Sequence, residues 1–119
     1  MMTGSPLTSQ IKCNTVSATG TLVTVPAGFK YTGSLTMSAT VSGVGASTPT
    51  VSVNGNLSVP ASGTVIGRIN LAGLAGSTIS QSAYFEVLCE APATNDITIE
   101  FTAGANGTSS ATLNGYVFG

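Results

Sequence analysis

The sequence predicts an all-β protein, an antiparallel β-sandwich of about eight strands, and three observations carry that prediction. Apolar and polar residues alternate along most of the chain, and no segment keeps the 3.6-residue period of an amphipathic helix. Turn-forming residues separate the alternating runs at short intervals. A chain of 119 residues can bury a core within one domain. Two sheets that each bury one face account for the pattern. A jelly roll suits eight strands best, and an immunoglobulin-like sandwich is the alternative.

An arm of residues 1–10 is expected to precede one sandwich domain of residues 11–119. Turn sequences separate the strands of the domain, as at Asn54-Gly55 and Asn106-Gly107. The segments "GVGAST" and "AGLAGSTIS" are predicted loops. The predicted strands run over about 9–17, 21–25, 35–41, 50–55, 64–73, 82–90, 97–103 and 110–118.

The third predicted strand shows the alternation most clearly. Its apolar residues are Leu35, Met37, Ala39 and Val41, and every residue between them carries a hydroxyl group. Hydroxyl side chains can bond across to a neighbouring strand, and covering them costs less than covering charges. The hydroxyl face is therefore either a surface that another subunit covers or a solvated face of a protein with few charges.

The later strands are assigned inward faces in the same way. Glu100 faces outward between apolar neighbours, and Arg68 and Asn70 face away from the apolar side of their strand. The predicted inward residues of these strands are Val65, Gly67, Ile69, Leu71, Ala83, Phe85, Val87, Cys89, Ile97, Ile99 and Phe101.

The low charge of the chain excludes several kinds of partner. Charged residues make up 6% of the chain and the net charge is −1, so little repulsion keeps copies apart and work inside an assembly is expected. Three cations are too few to follow a phosphate backbone, and we expect no nucleic acid as partner. No apolar run is long enough for a membrane helix, and the N-terminus lacks the features of a secretory signal.

The residues that carry chemistry are scarce, and no enzymatic activity, cofactor or metal is expected. The chain has no histidine, the commonest general base. Asp96 lies in a predicted hairpin turn. Glu86 and Glu90 are about 13 Å apart along one strand, too wide for a glycosidase pair. Glu100 approaches Glu86 only if their strands are hairpin neighbours, and an acidic patch is the favoured interpretation.

The two cysteines, Cys13 and Cys89, fit neither a zinc site nor a Cys-x-x-Cys motif. They are either two small buried side chains or a disulfide between the first strand and a later one. We favour reduced, buried thiols, as expected of a protein made in a cytoplasm.

Several large side chains are candidates for a contact surface. Tyr84, Tyr116 and Phe118 lie on nominally polar faces, where they can anchor an interface or form a platform for a sugar. Leu88 interrupts the polar side of its strand and joins this set, as does Leu7 of the arm. Phe29 and Tyr31 are expected to cap one end of the sandwich.

Four stretches resemble small decoration, or cement, proteins of tailed bacteriophages: "GTLVTVPAGFKYTGSLTMSATVSG", "SGTVIGRINLAG", "APATNDITIEF" and "ATLNGYVFG". The resemblance runs from about Gly20 to Gly119 and lies in the order of strands and turns. It implies a jelly-roll or related sandwich on the outer surface of the virion, assembled in the host cytoplasm.

The same resemblance implies partners. A homotrimer would bind the major capsid protein and stabilise the head, with the arm lying across a capsid subunit and one flank of the sandwich packed against its trimer mates. The alternative is a β-sandwich module of a phage tail or head fibre that binds a receptor or a glycan.

Overall fold

The computed structural model describes residues 9–55 and 62–119, in which every regular element is a β-strand. The strands are β1 (Ser9–Val16), β2 (Gly20–Val25), β3 (Lys30–Ser42), β4 (Gly45–Ser47), β5 (Thr50–Gly55), β6 (Thr64–Arg68), β7 (Leu71–Gly73), β8 (Thr78–Glu90), β9 (Ile97–Thr102) and β10 (Thr108–Phe118). The predicted arm lies outside the described residues except for its last two positions, which belong to β1.

The strands form two four-stranded antiparallel sheets and a short ribbon. The first sheet has the order β1-β10-β3-β8, the second β2-β9-β5-β6, and the ribbon pairs β4 with β7. Without the ribbon, the strands numbered in chain order run 1-8-3-6 in one sheet and 2-7-4-5 in the other. This is the strand order of a jelly roll. The predicted antiparallel sandwich is confirmed.

The structure corrects the boundaries of two predicted loops. "GVGAST" contains β4, and "AGLAGSTIS" contains the last two residues of β7 and the first residues of β8, while the predicted strand 64–73 is divided into β6 and β7. Both segments are rich in Gly and Ala, which are depleted in strands, so their composition concealed the pairing. The strands β3 and β8 are also longer than predicted, with 13 residues each, because they pair with one another along their whole length.

The core lies between the sheets and follows the predicted alternation. Leu35 is fully buried opposite Phe85, which is partly buried and packs against the core. Val65, however, is exposed, and the expectation that it faces inward is wrong. A bulge between β5 and β6 breaks the alternation there, and Ile66 packs against the core instead.

Tyr31 crosses the core beneath two glycines of neighbouring strands. Gly33 of β3 pairs with Gly115 of β10, and a Cβ atom on either would meet the Tyr31 side chain. The phenol reaches β1, where its hydroxyl donates a 2.9 Å hydrogen bond to the carbonyl of Lys12. Tyr31 is therefore fully buried rather than an end cap, whereas Phe29 is partly buried against the core.

The two cysteines are free and lie on opposite faces of the first sheet. Cys89 is buried, as predicted, and its burial raises the pKa of the thiol to about 11. Cys13 is exposed, so the expectation of two buried thiols is wrong for this residue. The strands β1 and β8 are the two edges of the sheet, about 14 Å apart. That separation is too wide for a disulfide.

Candidate functional site

The candidate site is the outer face of the first sheet, the face turned away from the core. Cross-strand pairing places the outward residues of β1, β10, β3 and β8 in rows that run across the sheet. Two regions of this face differ in chemistry, one toward the Ser42 end of β3 and one toward its Lys30 end.

The region toward Ser42 is a set of paired hydroxyls, which we call the hydroxyl ladder. Each hydroxyl of the ladder bonds to one on a neighbouring strand, with oxygen–oxygen distances of 2.8–3.0 Å. The pairs are Thr15–Thr112, Ser38–Ser110, Thr40–Ser80 and Ser42–Thr78. The pairing follows from the register, since each pair consists of residues directly opposite one another.

The ladder leads to an apolar end of the molecule, which we call the tip. Val44 and Leu74 are 80% and 61% exposed there. Gly45 pairs with Gly73 at the end of the ribbon, and Val44 and Leu74 are the residues directly beyond this pair. Two glycines with positive φ, Gly43 and Gly76, form the turns on either side of Val44 and Leu74. The Gly43 N–H joins the two turns by donating a 2.8 Å hydrogen bond to the Ser77 carbonyl.

The region toward Lys30 is a shallow groove of about 530 Å³. Its central row consists of Asn114, Ser34 and Glu86, which lie side by side on three adjacent strands. Tyr116 and Leu88 flank Thr32 at one end, and Tyr84 stands at the other. Tyr84 is 64% exposed, Leu88 69% and Tyr116 45%.

The polar side chains of the groove differ from those of the ladder in their hydrogen bonding. Among the described residues, the side chains of Thr32, Ser34, Asn114 and Glu86 have no hydrogen-bond partner. The two regions therefore differ, because the ladder hydroxyls are already paired with one another whereas the polar groups of the groove are available to a ligand.

The structure brings most of the predicted contact residues together. Tyr84, Leu88 and Tyr116 line the groove. Phe118 lies next to Tyr116, with ring centroids 5.8 Å apart, and the Lys30 ammonium sits 5.9 Å from the Phe118 ring. Leu7 lies outside the described residues.

Besides Val65, three exposed apolar residues of the described chain were not among the predicted contact residues. Ile11 is exposed directly opposite Tyr116, beside the groove, and Val44 and Leu74 form the tip. In the sequence, Ile11 alternates only with Cys13, which is too short a pattern to show which face is outward. The register with β10 sets Ile11 on the outer face. Val44 and Leu74 lie in segments that were predicted as loops, where a single apolar residue carries no periodic signal.

The acidic residues do not form a pair. Glu86 is on the first sheet and Glu100 on the second, so the strands that carry them are not hairpin neighbours. Asp96 lies in the connection between these sheets rather than in a hairpin, and its carboxylate accepts a 2.9 Å hydrogen bond from the Ala27 N–H. Within residues 9–55 and 62–119, no three His, Cys, Asp or Glu side chains are grouped as metal ligands.

The same part of the chain contains no helix with the length and apolarity needed to span a membrane.

Comparison with known proteins gives likeness of shape only. No protein-family model and no curated protein sequence matches the chain. Among solved structures, the CBM22-1–GH10 modules of Clostridium thermocellum xylanase 10B, complexed with xylohexaose, align with 87% of this chain at 19% identity and a TM-score of 0.42. The infectious bursal disease virus structures of the Gx and Gt strains align with 92% of it, at 16% and 15% identity and TM-scores of 0.39 and 0.32.

The chain spans only a fraction of the length of these proteins: 18% of the xylanase chain, and 32% and 30% of the two virus chains. Nothing about ligand, partner or activity follows for this chain from such likeness.

Proposed function

We propose that this chain is a non-catalytic structural protein of a virion, a decoration protein that binds the major capsid protein on the outer surface of a tailed-phage head. The observation that carries the proposal is the uncharged surface formed by the hydroxyl ladder and the tip. The described residues of this surface include no charged side chain, since the sequence between Lys30 and Arg68, and between Arg68 and Glu86, contains none.

The ladder is suited to being covered by another protein. Burying an unpaired hydroxyl costs on the order of 1–3 kcal/mol, and pairing removes most of that cost. In the ladder the hydroxyls already bond to one another across the strands. A capsid surface can therefore displace water from the ladder while every ladder hydroxyl keeps one hydrogen bond to its partner.

The tip adds the apolar contact that such a surface needs. Val44 and Leu74 adjoin the end of the short ribbon, and removing water from their exposed methyl groups is favourable. A homotrimer on the head would repeat the contact three times around one axis, and small contacts that act together bind tightly.

The test is co-sedimentation with expanded heads of the phage that encodes the chain, prepared without this protein. Leu74→Asp places a charge at the tip, and its matched control, Leu88→Asp, makes the same change in the groove. We expect wild-type protein and Leu88→Asp to sediment with heads and Leu74→Asp to lose binding. Binding should persist at about 1 M salt, where surface ion pairs are screened.

Two results would overturn the proposal. One is undiminished binding of Leu74→Asp by heads. The other is failure of the wild-type protein to bind heads while it binds isolated tails or fibres, which would favour the alternative assignment to a tail or head-fibre module. Circular dichroism of each variant establishes that the protein tested is folded.

A further inference from the structure

We propose that the groove of Tyr84, Leu88, Tyr116, Ser34, Asn114 and Glu86 binds a neutral oligosaccharide. The inference goes beyond attachment to a capsid and does not depend on it, because the groove and the tip lie toward opposite ends of the first sheet. Three features of the groove carry the argument: the spacing of its rings, its unpaired polar groups and its charge.

The rings are placed to hold an extended ligand. Tyr116 and Tyr84 are two strands apart across the sheet and four residues apart along it, so their Cα atoms are separated by about 16 Å. Both rings are exposed, and Leu88 adds an apolar wall beside Thr32. A sugar ring presents a C–H face that packs on an aromatic ring, and two platforms at this separation fit a chain of several sugars.

The polar row between the platforms offers what a polyhydroxylated ligand needs. Asn114 supplies an amide donor and acceptor, Ser34 a hydroxyl and Glu86 an acceptor. These groups have no side-chain hydrogen bond among the described residues, in contrast to the ladder on the same face. An apolar protein surface would bury them unsatisfied, whereas sugar hydroxyls can pair with each.

The charge of the groove selects a neutral ligand. Glu86 is the one charged residue among those that line it, so an anionic sugar would be repelled. The volume of about 530 Å³ lies within the range of small-molecule sites.

The experiment is titration of the full chain with cellohexaose, maltohexaose and chitohexaose, and with hexagalacturonate as the anionic comparison. The chain has no tryptophan, so tyrosine fluorescence reports directly on its three tyrosines. Amide NMR shifts locate the site independently. We expect at least one neutral hexasaccharide to perturb the groove, with shifts centred on residues 32–34, 84–88 and 114–116, and hexagalacturonate to bind more weakly.

Variants separate stacking from hydrogen bonding. Tyr84→Ala and Tyr116→Ala should each weaken binding roughly tenfold or more, while Tyr84→Phe keeps the ring and most of the affinity. Asn114→Ala should weaken binding less. The control Leu74→Asp lies at the tip and should bind the sugar as the wild type does.

The proposal is overturned if no neutral hexasaccharide shifts the groove at millimolar concentration, or if the Tyr84→Ala/Tyr116→Ala double variant binds as the wild type does. It is also overturned if those substitutions instead change the solution mass of a sugar-free sample, because the groove would then be a contact between copies of this chain. Failure of the head-binding test leaves these outcomes unaffected.

Discussion

Tyr31 ties the first sheet together at the level of a single residue. Its ring lies beneath the paired Gly33 and Gly115, and its hydroxyl donates to the Lys12 carbonyl on the edge strand β1. Burial, with smaller contributions from Cys13 and Cys89, raises the pKa of the phenol, so it stays a hydrogen-bond donor throughout the ordinary pH range. The sequence predicts an aromatic residue near the end of the sandwich. Its hydrogen bond to Lys12 of β1 cannot be predicted from sequence, because it depends on how the strands pack.

Removing that hydroxyl tests its role. We expect Tyr31→Phe to lower the free energy of unfolding by about 1 kcal/mol, because one buried hydrogen bond is lost while the ring still packs. Urea unfolding measures the change. Tyr84→Phe is the matched control, since the Tyr84 ring is exposed, and it should leave stability unchanged. Equal stability of Tyr31→Phe and the wild type would contradict the account.

The two thiols should differ in reactivity. The pKa of Cys89 is raised by burial to about 11, whereas Cys13 is exposed. At pH 8 the native protein should therefore react with a thiol reagent at one cysteine, and the second should react only after unfolding. Mass spectrometry of the labelled peptides identifies the site. Rapid labelling of both thiols in the native state would show that Cys89 is accessible.

The same burial makes the fold sensitive to alkali. In the folded state Cys89 keeps its proton up to about pH 11, while in the unfolded chain it ionises near pH 9.0. The unfolded chain therefore binds fewer protons in this window, and the free energy of unfolding should fall as the pH rises from 9 toward 11. Burial also raises the pKa of Tyr31, so this residue lowers the free energy of unfolding further above about pH 10. Urea unfolding across this window should show a shallower decline in Cys89→Ala.

At the scale of elements, the close approach of β3 and β10 depends on glycine. A Cβ atom at Gly33 would lie 2.5 Å from the Asn114 carbonyl oxygen and 3.0 Å from the Tyr31 ring. At Gly20 the nearest atom is 3.9 Å away. We expect Gly33→Ala to cost about 1–3 kcal/mol in urea unfolding. Gly20→Ala should have little effect. If Gly33→Ala lowered the free energy of unfolding no more than Gly20→Ala does, the close approach of the strands would contribute nothing to stability.

The elements also show what the sequence could predict. Strict alternation identified the inner faces of β3, β8 and β9, because a buried face with a period of two leaves a direct pattern. It missed β4 and its pairing with β7, because that pairing is long-range and β4 consists of weak strand formers. It also placed Val65 inward, since the bulge opposite β5 depends on the partner strand and is absent from local sequence.

The candidate site was predictable only in part for a similar reason. Tyr84, Leu88 and Tyr116 could be recognised as outward-facing one strand at a time. That they surround one groove depends on the order β10-β3-β8, which no local pattern specifies. The contrast between the ladder and the groove also depends on register. In the ladder the register sets hydroxyls opposite one another, whereas in the groove it sets Ser34 between Asn114 and Glu86.

At the scale of the whole molecule, the proposed role of the arm makes a prediction about stability and attachment. We expect truncation of residues 1–8, which stops before β1, to leave the fold and the thermal unfolding temperature unchanged. The proposed role of the arm on the capsid predicts weaker binding to heads after the truncation. Circular dichroism and co-sedimentation measure the two effects. Binding equal to that of the full chain would remove the arm from the attachment.

The central claim is that the ladder and the tip are covered on the head while the groove stays open. Hydroxyl-radical footprinting with mass spectrometry tests it most directly, comparing the free protein with protein bound to heads. The account predicts that oxidation of Val44 and Leu74 falls on binding, while that of Tyr84, Leu88 and Tyr116 is unchanged. Protection of the groove residues with continued oxidation of the tip would contradict it.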